Sequence, residues 1–514
     1  MKYNFIKNTL FNSQKFHLSI LIIFFFIGAS NVTNYGISWD EQSSRAIGFI
    51  NGKYILETLF GSDFLRYFTK LFNLEIFNQF INSNKFDFQN YSEKAYGPGF
   101  ELPMALIEIL FNFKETKNIF LLRHFVNFSI FTISLIFFYK FLQIKLNSYF
   151  YAFLGCCLLA LSPRIFAHSF FNSKDIIFLA YFQIANYYGY KFLLNNKSNK
   201  NILLFAITIA LASTVRPLGL VLLFFYISLN FLRNKKLFLK QNFKLIIYSI
   251  IFLYIFWPHL WANPIINFYE AFFYFSKIPW DGNVFFNNEL IDGRNLPFYY
   301  LPIWIFITTP EIIIIIFLFS IFIIIQKLFN RELERIDVLE DILFAFVFIV
   351  IPIGLNFVLK TILFDGWRHF YFIYPFIIMI GMSLFKYLNK KLLNRFFEIL
   401  IWINIIFLIF WNISNNPFQY LYFNKLLIGK NSLSLFEKDY WGISNKQLVE
   451  RINDIEAEKI NWSFHGSNMK TSLLILNSND QKKFNYINKD NFTEKFYVFI
   501  NNRNLSKKEI NKIL

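Results

Sequence analysis

Ile303–Ile325 reads IWIFITTPEIIIIIFLFSIFIII, with a single charge at Glu311. A run this long and this apolar fits a helix that crosses a bilayer, which takes about 20 mostly apolar residues. Comparable runs stand at Leu18–Ile27, Ile202–Ala212 and Phe396–Trp411. The composition extends that reading to the whole chain. Of 514 residues, 55% are hydrophobic, 74 are Phe and only 16% are charged. An average soluble domain carries roughly 25% charge. The mean hydropathy of +0.40 is too high for a soluble protein of this length. It also excludes a disordered chain, because so much apolar surface must be buried. The pattern speaks against a β-barrel, whose strands alternate apolar and polar residues. The fold class is therefore an all-α multi-pass membrane protein.

Eleven spans are expected: 16–34, 123–143, 148–164, 176–194, 201–215, 217–232, 243–258, 301–325, 342–360, 370–388 and 396–412. The first follows a basic leader without a convincing small-residue cleavage site, so it reads as a retained helix. Gly99–Phe113 decides the parity. It is apolar but holds Glu101, Pro103 and Glu108. As a helix it reaches about 22 Å, short of a roughly 30 Å hydrocarbon core. It is read as an interfacial helix.

The charge distribution agrees. With the N-terminus cytoplasmic, the short inner loops carry Lys140 and Lys145, then Arg233, Lys235 and Lys236, then Lys386, Lys390, Lys391 and Arg395. The opposite short loops hold fewer cations, and a spanning Gly99–Phe113 would invert this bias. The net charge of +18 thus sits at span ends. It reads as orientation in a bilayer, and nucleic acid is rejected as a partner. Cys156 and Cys157 are adjacent within an apolar run and read as packing, with no disulfide framework.

Two units follow: a transmembrane part, 1–412, with a first external loop over 35–122, and an external region, 413–514. The latter alternates helix-like and strand-like stretches at Lys446–Ile455, Ser472–Leu476 and Phe496–Ile500. It is read as a small α/β region.

Polar residues concentrate at one face. Asp40 and Glu41 follow the first span, where carboxylates are costly to desolvate without partners. Acidic residues beside a helix end are also ordinary capping or solvated groups. Ser162-Pro163-Arg164, His168, Asn172, Lys174 and Asp175 form a denser cluster, which could equally be a salt-bridged loop. Arg216, His259, Arg368 and His369 fall on the same face. Cations gathered there, against the positive-inside pull, point to a bound anion such as a lipid phosphate.

These residues resemble the membrane glycosyltransferases of the GT-C superfamily. The likeness is to the group of protein O-mannosyltransferases and lipid A aminoarabinose transferases. It is carried by Asp40-Glu41 after the first span and Glu93-Lys94 ahead of Gly97-Pro98-Gly99. Arg123 at the start of the second span and Ser162-Pro163-Arg164 through Lys174-Asp175 complete it. It covers roughly residues 16–220. Tyr96-Gly97-Pro98-Gly99 stands where many members have a Pro-Pro pair, and the nearest Arg after Asp40 is Arg45.

The resemblance implies a helical bundle with interfacial helices in the first external loop, a polyprenyl-phosphate-linked sugar as donor, and extracytoplasmic transfer with inversion. Asp40 would be the general base, with Glu41 and Asp175 beside it as catalytic candidates. Asp175 would pair with a cation or help hold the sugar. Lys94, Arg123, Lys174, Arg216 and Arg368 would meet the donor phosphate. Glu93, His168, His259 and His369 are candidate substrate or metal contacts. Some relatives bind a divalent ion, but Glu93 and His259 alone do not make a metal site. The acceptor is open among lipid, glycan and protein. The expected location is the inner or plasma membrane. The rival readings are a lipid-linked sugar flippase, a glycan polymerase or ligase, and a non-enzymatic receptor.

Overall fold

Long apolar runs become helices in this chain because a backbone in hydrocarbon must satisfy its own hydrogen bonds. The computed structural model describes residues 13–71, 87–234, 240–330, 336–388, 390–424, 435–456, 458–465, 470–487 and 497–500. Lys235, Lys236 and Phe496 lie outside the described residues. All eleven expected spans coincide with helical segments. Among the described residues, six helices are long and apolar enough to cross a membrane: Gln14–Asn34, Thr116–Leu146, Glu311–Phe329, Asp337–Leu359, Arg368–Tyr387 and Lys391–Ser414. Tyr149–Leu161 with Pro163–Phe171 would make a seventh. Large apolar side chains, among them Phe26, Phe322, Ile399 and Phe410, are exposed along them. Such a surface belongs against lipid. The chain is thus a helical membrane protein.

Two expected spans are broken, each by a proline. The 301–325 run splits into Tyr300–Thr308 and Glu311–Phe329. Thr309 is extended ahead of Pro310 (φ −90°, ψ 135°). Proline lacks an N–H and pushes the residue before it out of the helical region. The 148–164 run likewise ends at Leu161, and Pro163 starts a new helix bent by 62°. That bend turns Pro163–Phe171 back into the protein, where all nine residues are buried.

The core is largely aromatic. Phe128 stacks on Phe170 with centroids 4.7 Å apart, and Phe348 on Phe376 at 4.4 Å. The Arg368–Tyr387 segment is the most enclosed of the six and fills the middle of the bundle.

The described part of the 35–122 loop holds helices, as the resemblance implied. Glu101–Phe111 is a helix of 11 residues, as its short apolar run implied. Trp39–Phe60 is a second helix, of 22 residues, at a position the residues alone did not mark. It starts at a capping box: the Glu41 side chain accepts from the Ser38 N–H at 2.6 Å. Between His259 and Tyr300 lie a helix, Pro264–Ser276, and a hairpin of β1 (Asn283–Phe286) and β2 (Glu289–Asp292). Asn287 and Asn288 form its two-residue turn, both at positive φ (53° and 66°), the conformation a type I′ hairpin requires.

The C-terminal region is α/β. Helix Asn445–Ile455 packs with a parallel sheet of order β4-β3-β5 (Phe484–Tyr486, Ile460–His465, Tyr497–Ile500). Ser472–Leu476, expected within the alternating pattern, falls largely in a 3-10 helix, Lys470–Ile475. Ile37 and Phe120 join the small core of Val449, Ile460, Trp462 and Ile475. Thr116 donates to the Leu474 carbonyl at 3.1 Å, so this region is docked on the start of the Thr116–Leu146 helix.

Candidate functional site

Asp175 is the hub. It is the first residue of the Asp175–Leu194 helix, where the dipole favours a carboxylate. Asn172 fixes the turn before it: its Oδ1 accepts from the Asp175 N–H at 2.8 Å, and its Nδ2 donates to Asp175 Oδ2 at 3.0 Å. Two arginines from distant segments close on the carboxylate. Arg216 is extended ahead of Pro217, at the end of the Asn199–Val215 helix, and Nη2 meets Asp175 Oδ1. Arg368 opens a 3-10 turn and donates from Nη1 to Asp175 Oδ2 at 2.8 Å.

Arg368 links the hub to two further carboxylates. Its Nη2 is 3.3 Å from Asp365 Oδ2 and 3.6 Å from Asp40 Oδ2. Asp365 and Gly366 both have positive φ (61° and 71°), which turns the chain sharply and aims Asp365 back at Arg368. The guanidinium lies over the Phe364 and Trp441 rings, each centroid 4.8 Å away. Trp441 Nε1 also donates to Asp365 Oδ2 at 3.0 Å. The acids differ in access: the Asp40 side chain is 40% exposed, those of Asp175 and Asp365 only 1%.

Lys174 flanks this cluster. Its Nζ is 3.1 Å from Glu93 Oε2 and lies 4.3 Å from the Tyr96 ring centroid. Burial disfavours the ammonium, but Glu93, Tyr96 and Asp40 outweigh that and raise its pKa above the ordinary lysine value. His168 braces the turn from behind. Its Nδ1 lies 3.1 Å from Asn172 Nδ2 and its Nε2 lies 2.9 Å from the Tyr440 hydroxyl. Asn172 can only donate there, so the proton sits on Nε2.

A groove of about 160 Å³ opens beside Arg216 and His369. Its walls are mostly apolar, including Phe272, Phe275, Pro352, Leu355 and Leu363. Arg216 Nε and His369 Nδ1 are buried without a hydrogen-bond partner. A ligand with acceptor oxygens and a hydrocarbon tail would satisfy both features.

Other sequence candidates lie apart from this cluster. Glu41 is buried in its capping role and pairs with His124 Nε2 at 2.8 Å. Arg123 is enclosed by Glu101 and Glu108, and Glu108 also holds Arg45 at 2.8 Å. Burial raises Glu108 above the usual carboxylate range, against the opposing pull of Arg45. This network ties the Trp39–Phe60 and Glu101–Phe111 helices to the long span. Ser173, beside Lys174 in the chain, donates to Glu101 Oε1 at 2.8 Å, and the Trp39–Phe60 helix also carries Asp40 to Arg368. Lys94 donates to the Gln89 carbonyl at 2.8 Å. His259 is buried, and burial with nearby Lys94 lowers its pKa below the ordinary histidine value. Arg164 donates from Nε to the Tyr422 carbonyl at 3.0 Å. Among the described residues, no group of three or more His, Cys, Asp or Glu side chains is arranged to hold a metal ion.

Asp365 and Trp441 were not among the sequence candidates. The Asp365-Gly366 turn next to Arg368 was the available signal for the first. Trp441 is one aromatic among many, and nothing local marks it. No protein-family model and no curated protein matches the chain.

Proposed function

We propose that this protein is a GT-C-type membrane glycosyltransferase that moves a sugar from a polyprenyl-phosphate donor to an acceptor. One observation carries the reading: Arg216 pairs with Asp175, and Arg368 bridges Asp175 to Asp40, so that groups from separate segments meet beside an apolar groove. In the proposed arrangement the helices make eleven crossings with the N-terminus cytoplasmic. The cluster then lies on the extracytoplasmic side, as the bias of Lys and Arg supports.

The chemistry follows from what each group can do. The lipid tail occupies the groove and the phosphate lies near Arg216 and His369. Asp40, the accessible carboxylate, accepts the proton of the acceptor hydroxyl or amine as it attacks the anomeric carbon. A positioned base typically contributes about 10²–10⁴-fold. The anomeric carbon–oxygen bond breaks, the electron pair leaves with the lipid phosphate, and the configuration inverts. The transition state has oxocarbenium character. Arg216 supplies preorganised donors for the growing phosphate charge. Asp175 orients Arg216 and Arg368, and Arg368 in turn holds Asp40. Arg216 lines the groove and keeps an unpartnered Nε, whereas Lys94, Arg123, Lys174 and Arg368 are not among the groove's walls, so Arg216 is the favoured phosphate ligand. The buried middle of the bundle supports transfer at one end over passage through it.

The test is transfer in proteoliposomes from synthetic polyprenyl-phosphate donors carrying a labelled sugar, with a total lipid and glycan extract as acceptor source. Label covalently attached to an acceptor is expected. Donor moved across the bilayer unchanged would replace this reading with a flippase.

A further inference from the structure

A second groove, of about 540 Å³, lies between the Gln14–Ser30 and Lys391–Ser414 helices. Its body is apolar, with Phe24, Phe153, Ala160, Trp402 and Ile409 among its walls. Both helices expose apolar side chains on either side of it (Ile22, Phe26, Ile406, Phe410), so the groove opens to hydrocarbon rather than water. One end is made of amides: Asn31, Asn412, Asn416 and Gln419. Asn416 Nδ2 donates to Asn31 Oδ1 at 2.9 Å, and Gln419 Nε2 to Asn416 Oδ1 at 3.2 Å. Among the described residues, none that lines this groove is charged.

Asn412 is the residue that asks for a ligand. It is 7% exposed, and its Nδ2 donates to the Leu161 carbonyl at 2.8 Å. Its Oδ1 is buried with no partner. A buried acceptor without a donor is costly, and the groove beside it is the route by which one can arrive. The occupant must bring an O–H or N–H. It must also be uncharged, because no counter-ion is present and an unpaired charge here would be poorly solvated. This distinguishes the groove from the one that ends on Arg216. A chain of net charge +18 would otherwise favour anionic lipids.

We propose that this groove is a binding site for a lipid with an uncharged, hydroxyl-bearing head group, such as diacylglycerol. The hydrocarbon chains occupy the apolar body, and the hydroxyl donates to Asn412 Oδ1. The proposal does not depend on the glycosyltransferase reading.

Trp402 lies in the wall and reports occupancy through quenching by brominated chains. The protein is placed in phosphatidylcholine vesicles carrying a minor fraction of either brominated diacylglycerol or brominated phosphatidylcholine, whose head group has no O–H or N–H to donate. The signal is the quenching that Trp402→Phe removes. Diacylglycerol is expected to quench about fivefold more effectively, the worth of one hydrogen bond. Asn412→Leu is expected to erase that preference. Ile409→Phe, which fills the groove from a partly lipid-exposed position and leaves the amides untouched, is expected to reduce quenching by both lipids. Equal quenching by the two lipids in the wild type would overturn the proposal. So would a preference that survives Asn412→Leu, or quenching indifferent to Ile409→Phe.

Discussion

The Asp175 cluster has a counterpart at the other end of the same helix. Tyr190, 15 residues and about 22 Å further along, donates to Glu340 at 3.4 Å. There Lys145 Nζ lies 2.7 Å from Asp341 Oδ1 and 3.2 Å from Glu340 Oε2, and Arg233 Nε donates to Glu340 Oε1 at 2.9 Å. The Tyr387 hydroxyl donates to Asp341 Oδ2 at 2.8 Å. Both clusters bury arginine or lysine against carboxylates, but they are built differently. Around Lys145 two cations meet two acids, and the acids take phenolic donors as well. Five helices are clamped together. Around Asp175 one acid stays accessible, Arg216 Nε and Arg368 Nε have no partner, and a groove adjoins. Buried charge alone therefore does not mark a site. Uneven satisfaction beside an open space does.

Substitutions should separate the two. The largest effect is expected from Asp40→Asn, a loss of transfer of about 10²–10⁴-fold with thermal stability unchanged, since the side chain is half-exposed. Lys145→Met should do the reverse. It leaves two buried carboxylates short of a cation and should cost about 3–5 kcal/mol of stability. Transfer per folded molecule should be kept, as read by calorimetry and rate on the same preparation. Replacing Lys145 and Asp341 together with Met and Leu should recover much of that loss, because well-packed apolar residues often match a buried pair. Arg216→Gln should raise the donor KM by about tenfold, the loss of one charge-assisted contact, with little change for acceptor. The smallest effect is expected from Trp441→Phe. It deletes the bond to Asp365 but keeps a ring over Arg368, costing about 1 kcal/mol in the chemical step.

The sequence made the helices legible because length and apolarity act locally. Positions 16–34, 123–143 and 396–412 need no partner to be read. Their breaks were less visible: Pro310 and Pro163 stood in plain view, but each lay within or at the edge of a run whose hydropathy never fell. The Trp39–Phe60 helix was implied only by the resemblance, because it carries Asp40, Glu41, Arg45, Lys53 and Glu57 and lacks an apolar signature. Its stability comes from a capping box and from packing that no local pattern reveals.

At the site, Asp40, Asp175, Arg216 and Arg368 were legible as cations and acids gathered near span ends. Their partners were not, since the pairs Arg216–Asp175 and Arg368–Asp175 cross long stretches of chain. Glu41 and Arg123 have the same chemistry in sequence and a structural role in the fold. Only the cap and the Glu101–Glu108 enclosure separate them from the hub.

The most direct test of the central claim is the transfer rate of Asp40→Asn and Lys145→Met, each normalised to folded protein, in proteoliposomes supplied with a polyprenyl-phosphate sugar. Loss of transfer in the first with its fold intact, and retained transfer per folded molecule in the second, is the predicted result. Wild-type transfer by Asp40→Asn would contradict the assignment of Asp40 as the base.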